Sequence, residues 1–206
     1  MSDNNLQIIS FLTLRRIIGA IGILLPITLM VGDFIFSDSL LIQSSISTYY
    51  STPMRNVLVG VLFVLGFFLL SYKGYEPIDN ITGTLGFFFS LGVALFPCNH
   101  ALGLVRGMHF ASAVLLFCVF IVFSLFLFTK SDKQKARTKG KKQRNIVYIV
   151  CGIIMILSLL TIAILLLLLP KQQLESLALI FWLETIALWS FGVSWLVKGR
   201  FLVSSR

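Results

Sequence analysis

Four ionisable side chains lie within or at the edge of otherwise apolar stretches of this sequence: Asp33, Arg55, His109 and Glu184. A carboxylate or an imidazole can take up and release a proton near neutral pH when its surroundings shift its pKa, and a guanidinium can hold an anionic group. Ionisable groups among apolar residues are costly, so they usually face a protein interior or a watery cavity. We therefore predict that these four residues contribute to a ligand-binding pocket.

Each of the four residues also has a purely structural explanation. Arg55 can extend to water from the edge of its apolar stretch, and Asp33 can form an ion pair with it. His109 can be a hydrogen-bonded packing residue. Glu184 is the hardest to explain in this way, because it lies roughly nine residues, or about 14 Å, inside its apolar stretch.

A serine-rich segment, residues 37–52, interrupts the first half of the chain and contains no Lys or Arg. We predict that it covers the ionisable residues as a lid and that Ser47 and Tyr50 belong to the same ligand-binding site. The alternative is a solvated connection whose tyrosines lie at the level of the lipid headgroups.

Familiar catalytic motifs are absent from the sequence. It contains two histidines, His100 and His109, and neither belongs to an HExxH motif. No GxSxG nucleophile elbow or phosphate-binding P-loop occurs, and three scattered cysteines do not form a CxxC pair. A zinc site would have to combine Asp33, Glu184 and the two histidines from separate segments. We therefore predict no metal and no cofactor, and we assign no catalytic residue.

The composition indicates where these residues must be held. Of the 206 residues, 57% are hydrophobic and 12% are charged, which is too apolar for a soluble domain. The net charge of +9 does not indicate nucleic-acid binding, because eight of the 17 basic residues lie together between Lys130 and Arg144. This predicts an integral membrane protein whose main partners are membrane lipids.

The apolar stretches predict an all-α, polytopic membrane protein that forms a single domain over residues 1–206. The first of them, from Ile17 to Phe36, is long enough for one transmembrane helix. The six predicted spans are about 15–36, 54–72, 81–96, 107–128, 146–169 and 176–197.

The distribution of basic residues predicts the orientation of these spans. Six spans place both termini on one side, and the basic loop 130–144 lies on that side too. This side then holds 14 of the 17 basic residues, as expected for the cytoplasmic side. We predict a protein of a bacterial inner membrane or a plasma membrane, with both termini in the cytoplasm and the pocket facing outward.

Small residues recur at helical spacing in the third span. Gly83, Gly86, Ser90 and Ala94 are three or four residues apart, which places them on one face of a helix. Such a face lets another helix approach closely. It predicts a surface through which the protein can oligomerise.

Short patches of the chain resemble the DRAM-type six-span membrane proteins and bacterial multi-span proteins of unknown function. They are the Ser45-Ile46-Ser47 segment before the second span, and His109 with Ala113 and Phe117 in the fourth. The resemblance implies a six-span fold that acts on lipid organisation or trafficking, and it implies no catalytic mechanism.

Three functions follow from these observations. The first is binding or transport of a lipid or small amphiphile, with Arg55 holding an anionic group and Glu184 a polar one. The second is an intramembrane hydrolase or transferase that uses His109 and Glu184 as acid and base. The third is a structural or assembly protein. We predict the first.

Overall fold

The computed structural model describes residues 10–37, 41–74, 76–130 and 139–201. Within these ranges the regular secondary structure is all helical, without a β-strand. The seven α-helices of the described residues are α1 (Phe11–Phe36), α2 (Arg55–Leu70), α3 (Pro77–Leu95), α4 (Gly103–Val122), α5 (Lys139–Leu168), α6 (Lys171–Ser176) and α7 (Leu179–Lys198). A short 3-10 helix, Ser47–Ser51, precedes α2, and a π-helical turn, Phe123–Leu127, continues α4.

Five of these helices are long and apolar enough to cross a membrane: α1, α3, α4 with its π-helical turn, α5 and α7. The all-α architecture with several apolar helices is thus confirmed. The second predicted span, 54–72, corresponds to α2, which is apolar but has 16 residues. At 1.5 Å per residue α2 is about 24 Å long, which is less than the ~30 Å hydrocarbon core of a bilayer.

Consecutive long helices run antiparallel, so their connections collect at two ends of the bundle. Arg16 Nε, in the second turn of α1, donates a 2.9 Å hydrogen bond to the carbonyl of Gly199 just after α7. Lys130, after α4, forms ion pairs of 2.8 Å with Glu76 and 2.7 Å with Asp79 at the start of α3. We call this end the basic end. The opposite end holds residues 43–52 and 96–102, and we call it the site end.

The last predicted span, 176–197, differs from the structure at its beginning. Ala178 has a left-handed backbone, with φ of 46°, and it separates α6 from α7. A non-glycine residue in this conformation interrupts a right-handed helix. The helix α7 therefore begins at Leu179, and Glu184 lies roughly five residues, or about 8 Å, from that start. The depth of Glu184 in a membrane stays a prediction.

The basic loop predicted over residues 130–144 is described only in part, because residues 131–138 lie outside the described ranges. Its last six residues belong to α5, which begins at Lys139 and has 30 residues. A helix of 30 residues is about 45 Å long and exceeds the thickness of the hydrocarbon core. Its basic first turns therefore extend beyond the apolar part of the bundle.

The small-residue face of α3 is buried against α2 of the same chain. All four of its residues are buried, and the Ser90 hydroxyl donates a 2.7 Å hydrogen bond to the carbonyl of Leu62 in α2. A Cβ added to Gly83 would collide with the carbonyl oxygen of Leu69. This face therefore brings α2 and α3 together, and oligomerisation stays a prediction without a surface assigned to it.

An aromatic cluster fills the core at the basic end. Trp195 of α7 is fully buried there, and its ring centroid lies 5.4 Å from that of Tyr72 and 5.0 Å from that of Phe128. Phe128 also packs edge to face against Tyr148 of α5, with 5.4 Å between centroids. The cluster joins α5 and α7 to the ends of α2 and α4.

Candidate functional site

The segment before α2 is folded by its own hydroxyl side chains. The backbone N–H of Ser45 donates to the hydroxyl of Thr48 at 2.9 Å, and the N–H of Thr48 donates to the hydroxyl of Ser45 at 3.2 Å. Serine and threonine side chains favour such local hydrogen bonds to the backbone. The pair holds the turn from which the 3-10 helix begins, so Ser47 is presented at a fixed position.

Three contacts attach this segment to α7 and to the connection between α3 and α4. The backbone N–H of Ile46 donates a 2.6 Å hydrogen bond to Glu184 Oε2 of α7. The N–H of Phe181 donates to the carbonyl of Ser44 at 3.0 Å. The Cys98 thiol donates to the carbonyl of Ser47 at 3.3 Å. The segment is therefore a docked cover at the site end.

Ser47 and His109 form a hydrogen-bonded pair inside this cover. His109 Nε2 lies 2.9 Å from the Ser47 hydroxyl, and Nδ1 lies 2.7 Å from the carbonyl oxygen of Phe96. A carbonyl oxygen can only accept, so Nδ1 carries the hydrogen. In the neutral imidazole, Nε2 is then the acceptor for the serine hydroxyl. This is the relation between a nucleophile and a general base.

A cavity lies beneath the segment. The polar residues of its lining are Ser47 and Glu184, and the remaining lining side chains are apolar. The apolar wall comes from five elements and includes Leu25 of α1, Leu58 and Leu62 of α2, Phe117 and Phe120 of α4, and Leu188 of α7. One polar edge on an otherwise apolar cavity suits an amphiphilic ligand.

Asp33, Tyr50 and Arg55 lie outside this lining, and so does His109, which contacts the lining residue Ser47. Asp33 is fully buried, and its Oδ2 accepts a 3.1 Å hydrogen bond from the Gln43 side chain. The exposed Arg55 guanidinium lies over the Tyr50 ring, 4.5 Å from its centroid, and donates to its hydroxyl at 2.9 Å. Of the six predicted ligand-binding residues, the structure thus brings together Ser47, His109 and Glu184.

In the described ranges, no group of three His, Cys, Asp or Glu side chains could hold a metal ion. Both ring nitrogens of His109 are already hydrogen-bonded. The arrangement therefore offers a hydroxyl, an imidazole and a carboxylate, and any chemistry at this site begins from those three groups.

The pairing of Ser47 with His109 was not evident from the sequence, because 62 positions separate the two residues. Both residues were predicted ligand-binding residues, yet only the folded segment shows that they touch. A second group of residues was missed entirely. It surrounds the aromatic cluster at the basic end.

Known proteins give no further guide to this site. No protein-family model, curated protein sequence or solved structure matches the chain. The resemblance to DRAM-type proteins stays a prediction.

Proposed function

We propose that this protein spans a membrane with six helices, keeps both termini in the cytoplasm, and binds a lipid or small amphiphile at its site end. The observation that carries the proposal is the lining of the cavity, which is apolar except for Ser47 and Glu184. Binding sites for small molecules are commonly lined by apolar side chains with a few polar groups. This lining matches an amphiphile with an apolar chain and a polar end.

The orientation rests on the charges at the two ends of the bundle. The described part of the basic end carries Lys and Arg on α1, α5 and α7 and in the connections beside them, whereas the site end carries Arg55, Arg106 and Lys171. Basic residues concentrate on the cytoplasmic side of membrane proteins. The site end then faces outward, and α2 is the sixth span.

The polar edge of the cavity favours a particular headgroup. The Glu184 carboxylate accepts hydrogen bonds and repels anions, and the Ser47 hydroxyl can donate or accept. A headgroup with hydroxyl, amide or amine hydrogens therefore fits better than a bare phosphate. The apolar tail contributes roughly 0.8 kcal/mol for each CH₂ group that it buries.

The test is native mass spectrometry of protein purified in a mild detergent. Wild type is expected to retain a lipid-sized mass. Ala113→Phe places a large side chain in the cavity lining and should remove that mass, whereas Ala111→Phe places the same side chain on an exposed face of α4. Glu184→Gln should weaken retention. Protein that carries no lipid mass, or equal retention in both phenylalanine variants, would refute the proposal.

A second candidate function, hydrolysis or transfer of an acyl group, is favoured by the Ser47–His109 pair. The Ser47 hydroxyl attacks the acyl carbon of an ester while its proton passes to His109 Nε2. The imidazolium returns the proton to the leaving alcohol as the C–O bond breaks. Water then attacks the acyl-serine, His109 takes its proton, and the carboxylic acid leaves as the Ser47 hydroxyl is restored.

This second function is tested with a fluorophosphonate probe, which reacts covalently with activated serines. Modification of Ser47, identified by peptide mass spectrometry and lost in Ser47→Ala and His109→Gln, would support it. Ser51→Ala is the matched control, because Ser51 is an exposed serine of the same 3-10 helix. Unlabelled Ser47 together with no turnover of a short-chain ester would reject hydrolysis and leave the binding function.

A further inference from the structure

At the basic end, far from the cavity, four cationic side chains from three helices surround the aromatic cluster. The Arg15 guanidinium of α1 lies 5.6 Å from the centroid of the Tyr72 ring. Lys198 Nζ of α7 lies 4.9 Å from the centroid of Phe128. Lys141 Nζ of α5 lies 5.9 Å from the centroid of Tyr148. Arg144 follows Lys141 by one turn of α5.

These cations act on one another electrostatically. The charges of Arg15, Lys141 and Arg144 all disfavour a charge on Lys198, whereas the charge of Asp79 favours it. Asp79 is itself engaged in a 2.7 Å ion pair with Lys130. Bringing like charges together in a partly buried place is unfavourable unless an anion compensates them.

Each of the two arginines also has a buried guanidinium nitrogen without a hydrogen-bond partner among the described residues. Arg15 Nε and Arg144 Nη1 are both inaccessible to water, and neither donates to an acceptor in the described residues. A buried donor without an acceptor costs roughly 1–3 kcal/mol, and more when it is charged. Both side chains remain partly exposed at other atoms, and a ligand at the basic end can contact those atoms.

The need for basic residues on the cytoplasmic side does not account for this arrangement. Charges that only set the topology can remain in water, as the exposed side chain of Lys142 does on the same helix. Arg15 and Arg144 instead place donors where water cannot reach. An anion with several oxygen acceptors would bind both guanidinium groups and reduce the repulsion among the four cations.

We propose that Arg15, Lys141, Arg144 and Lys198 form a binding site for a phosphate group at the basic end of the bundle. A phosphate has enough oxygens for bidentate contacts with arginine and additional contacts with lysine. The group comes either from the headgroup of an anionic phospholipid or from a soluble phosphate compound. Under the proposed topology the site faces the cytoplasm.

The experiment compares the thermal unfolding midpoint of the full chain in several conditions. One arm uses nanodiscs of phosphatidylcholine with and without phosphatidylglycerol. The other uses phosphatidylcholine nanodiscs in inorganic phosphate, with sodium chloride at equal ionic strength as reference. At about a hundredfold excess over Kd we expect the midpoint to rise by roughly 5–10 °C. A rise with phosphatidylglycerol alone identifies the lipid headgroup, and a rise with inorganic phosphate identifies a soluble ligand.

Matched variants show whether the rise comes from this site. Arg15→Gln and Arg144→Gln, alone and together, should remove most of the rise in the unfolding midpoint. Lys142→Gln removes the same charge from an exposed position and should preserve the rise. Arg144→Lys keeps the positive charge but lacks the guanidinium, so it should retain only part of the rise in the unfolding midpoint. The proposal is overturned if neither probe raises the midpoint of wild type, or if Lys142→Gln loses as much as Arg144→Gln. If the glutamine variants do not fold, native mass spectrometry of wild type with each probe decides, since absence of a phosphate-bearing adduct refutes the site.

Discussion

Glu184 Oε2 accepts a 2.6 Å hydrogen bond from the backbone N–H of Ile46, 138 positions earlier in the chain. This contact fastens the residue before Ser47 to α7, and Glu184 also lines the cavity beside Ser47. One carboxylate therefore positions the cover and provides a polar group to any ligand beneath it. Variants of Glu184 must separate these two roles.

We expect Glu184→Gln to fold with nearly the stability of wild type, because the amide oxygen of glutamine can still accept from the Ile46 N–H. Glu184→Leu leaves that N–H without its acceptor, which should lower the free energy of unfolding by roughly 1–3 kcal/mol. Thermal unfolding in detergent measures the difference, at about 2–4 °C for each kcal/mol in a chain of this size.

Glu175→Leu is the control for this series. Glu175 is exposed and its only ion pair among the described residues is a 3.4 Å contact with Lys171, so its removal should have little effect. If Glu184→Leu unfolded at the same temperature as Glu175→Leu, the bond to Ile46 would not hold the cover in place.

His109→Ala should be more destabilising than His100→Ala. His109 is buried and joins Ser47 to the carbonyl of Phe96, so its loss removes two hydrogen bonds and leaves a void, at a cost of roughly 2–4 kcal/mol. The His100 side chain is partly exposed, and among the described residues it accepts a single hydrogen bond, from the Leu102 N–H. Unfolding midpoints of the two variants test this order, and equal midpoints would contradict it.

The sequence predicted much of the architecture but less of the site. Long apolar stretches separated by polar connections predict helices reliably, because each backbone polar group in lipid must be hydrogen-bonded within its own helix. Hydropathy alone does not decide whether α2 crosses a membrane, because this helix is apolar but only 16 residues long. Glu184 lies closer to the start of its helix than predicted for a local reason, since the left-handed turn at Ala178 starts α7 later than the apolar pattern predicts.

The contacts of the site depend on how separate segments meet. An ion pair between Asp33 and Arg55 was one alternative explanation of these residues, but in the structure Asp33 bonds Gln43 and Arg55 stacks on Tyr50. The cationic group at the basic end was hidden for a related reason. Its members come from distant parts of the chain, and in the sequence they are indistinguishable from the basic residues that set topology.

Close packing of α2 against α3 gives a prediction that does not involve the site. Gly83→Ala should destabilise the protein by roughly 1–3 kcal/mol, because its Cβ would collide with the carbonyl oxygen of Leu69 and push the two helices apart. Gly60→Ala, in α2, meets no atom within 4 Å and should be neutral or stabilising by up to about 1 kcal/mol. Chemical or thermal unfolding of both variants measures the contrast, and a stable Gly83→Ala would refute the close approach.

The reactivity of Cys98 should depend on pH in a way that reports its burial. Burial raises the pKa of this thiol above its ordinary value of 9.0. Because alkylation requires the thiolate, the rate in the folded protein should reach half its maximum above pH 9, and unfolding should lower that pH. A folded-state pKa above the unfolded value also means that the thiol contributes stability below about pH 9 that is lost as the pH rises further. Alkylation rates in a Cys118→Ser, Cys151→Ser background test this, and a half-maximum below pH 8.5 would contradict it.

The same cysteine tests the proposed orientation. Cys98 lies in the connection between α3 and α4 at the site end, whereas Lys142 is exposed near the start of α5 at the basic end. In intact cells a membrane-impermeant maleimide should label Cys98 slowly from outside, at the rate its partial burial allows. In a background without the natural cysteines, Lys142→Cys should be labelled only after the cells are permeabilised. The reverse pattern would place the cavity on the cytoplasmic side and the phosphate site outside. That outcome would place the cavity at the inner leaflet. It would also rule out an anionic lipid of the cytoplasmic leaflet as the source of the phosphate group, and it would leave the geometry of both sites unchanged.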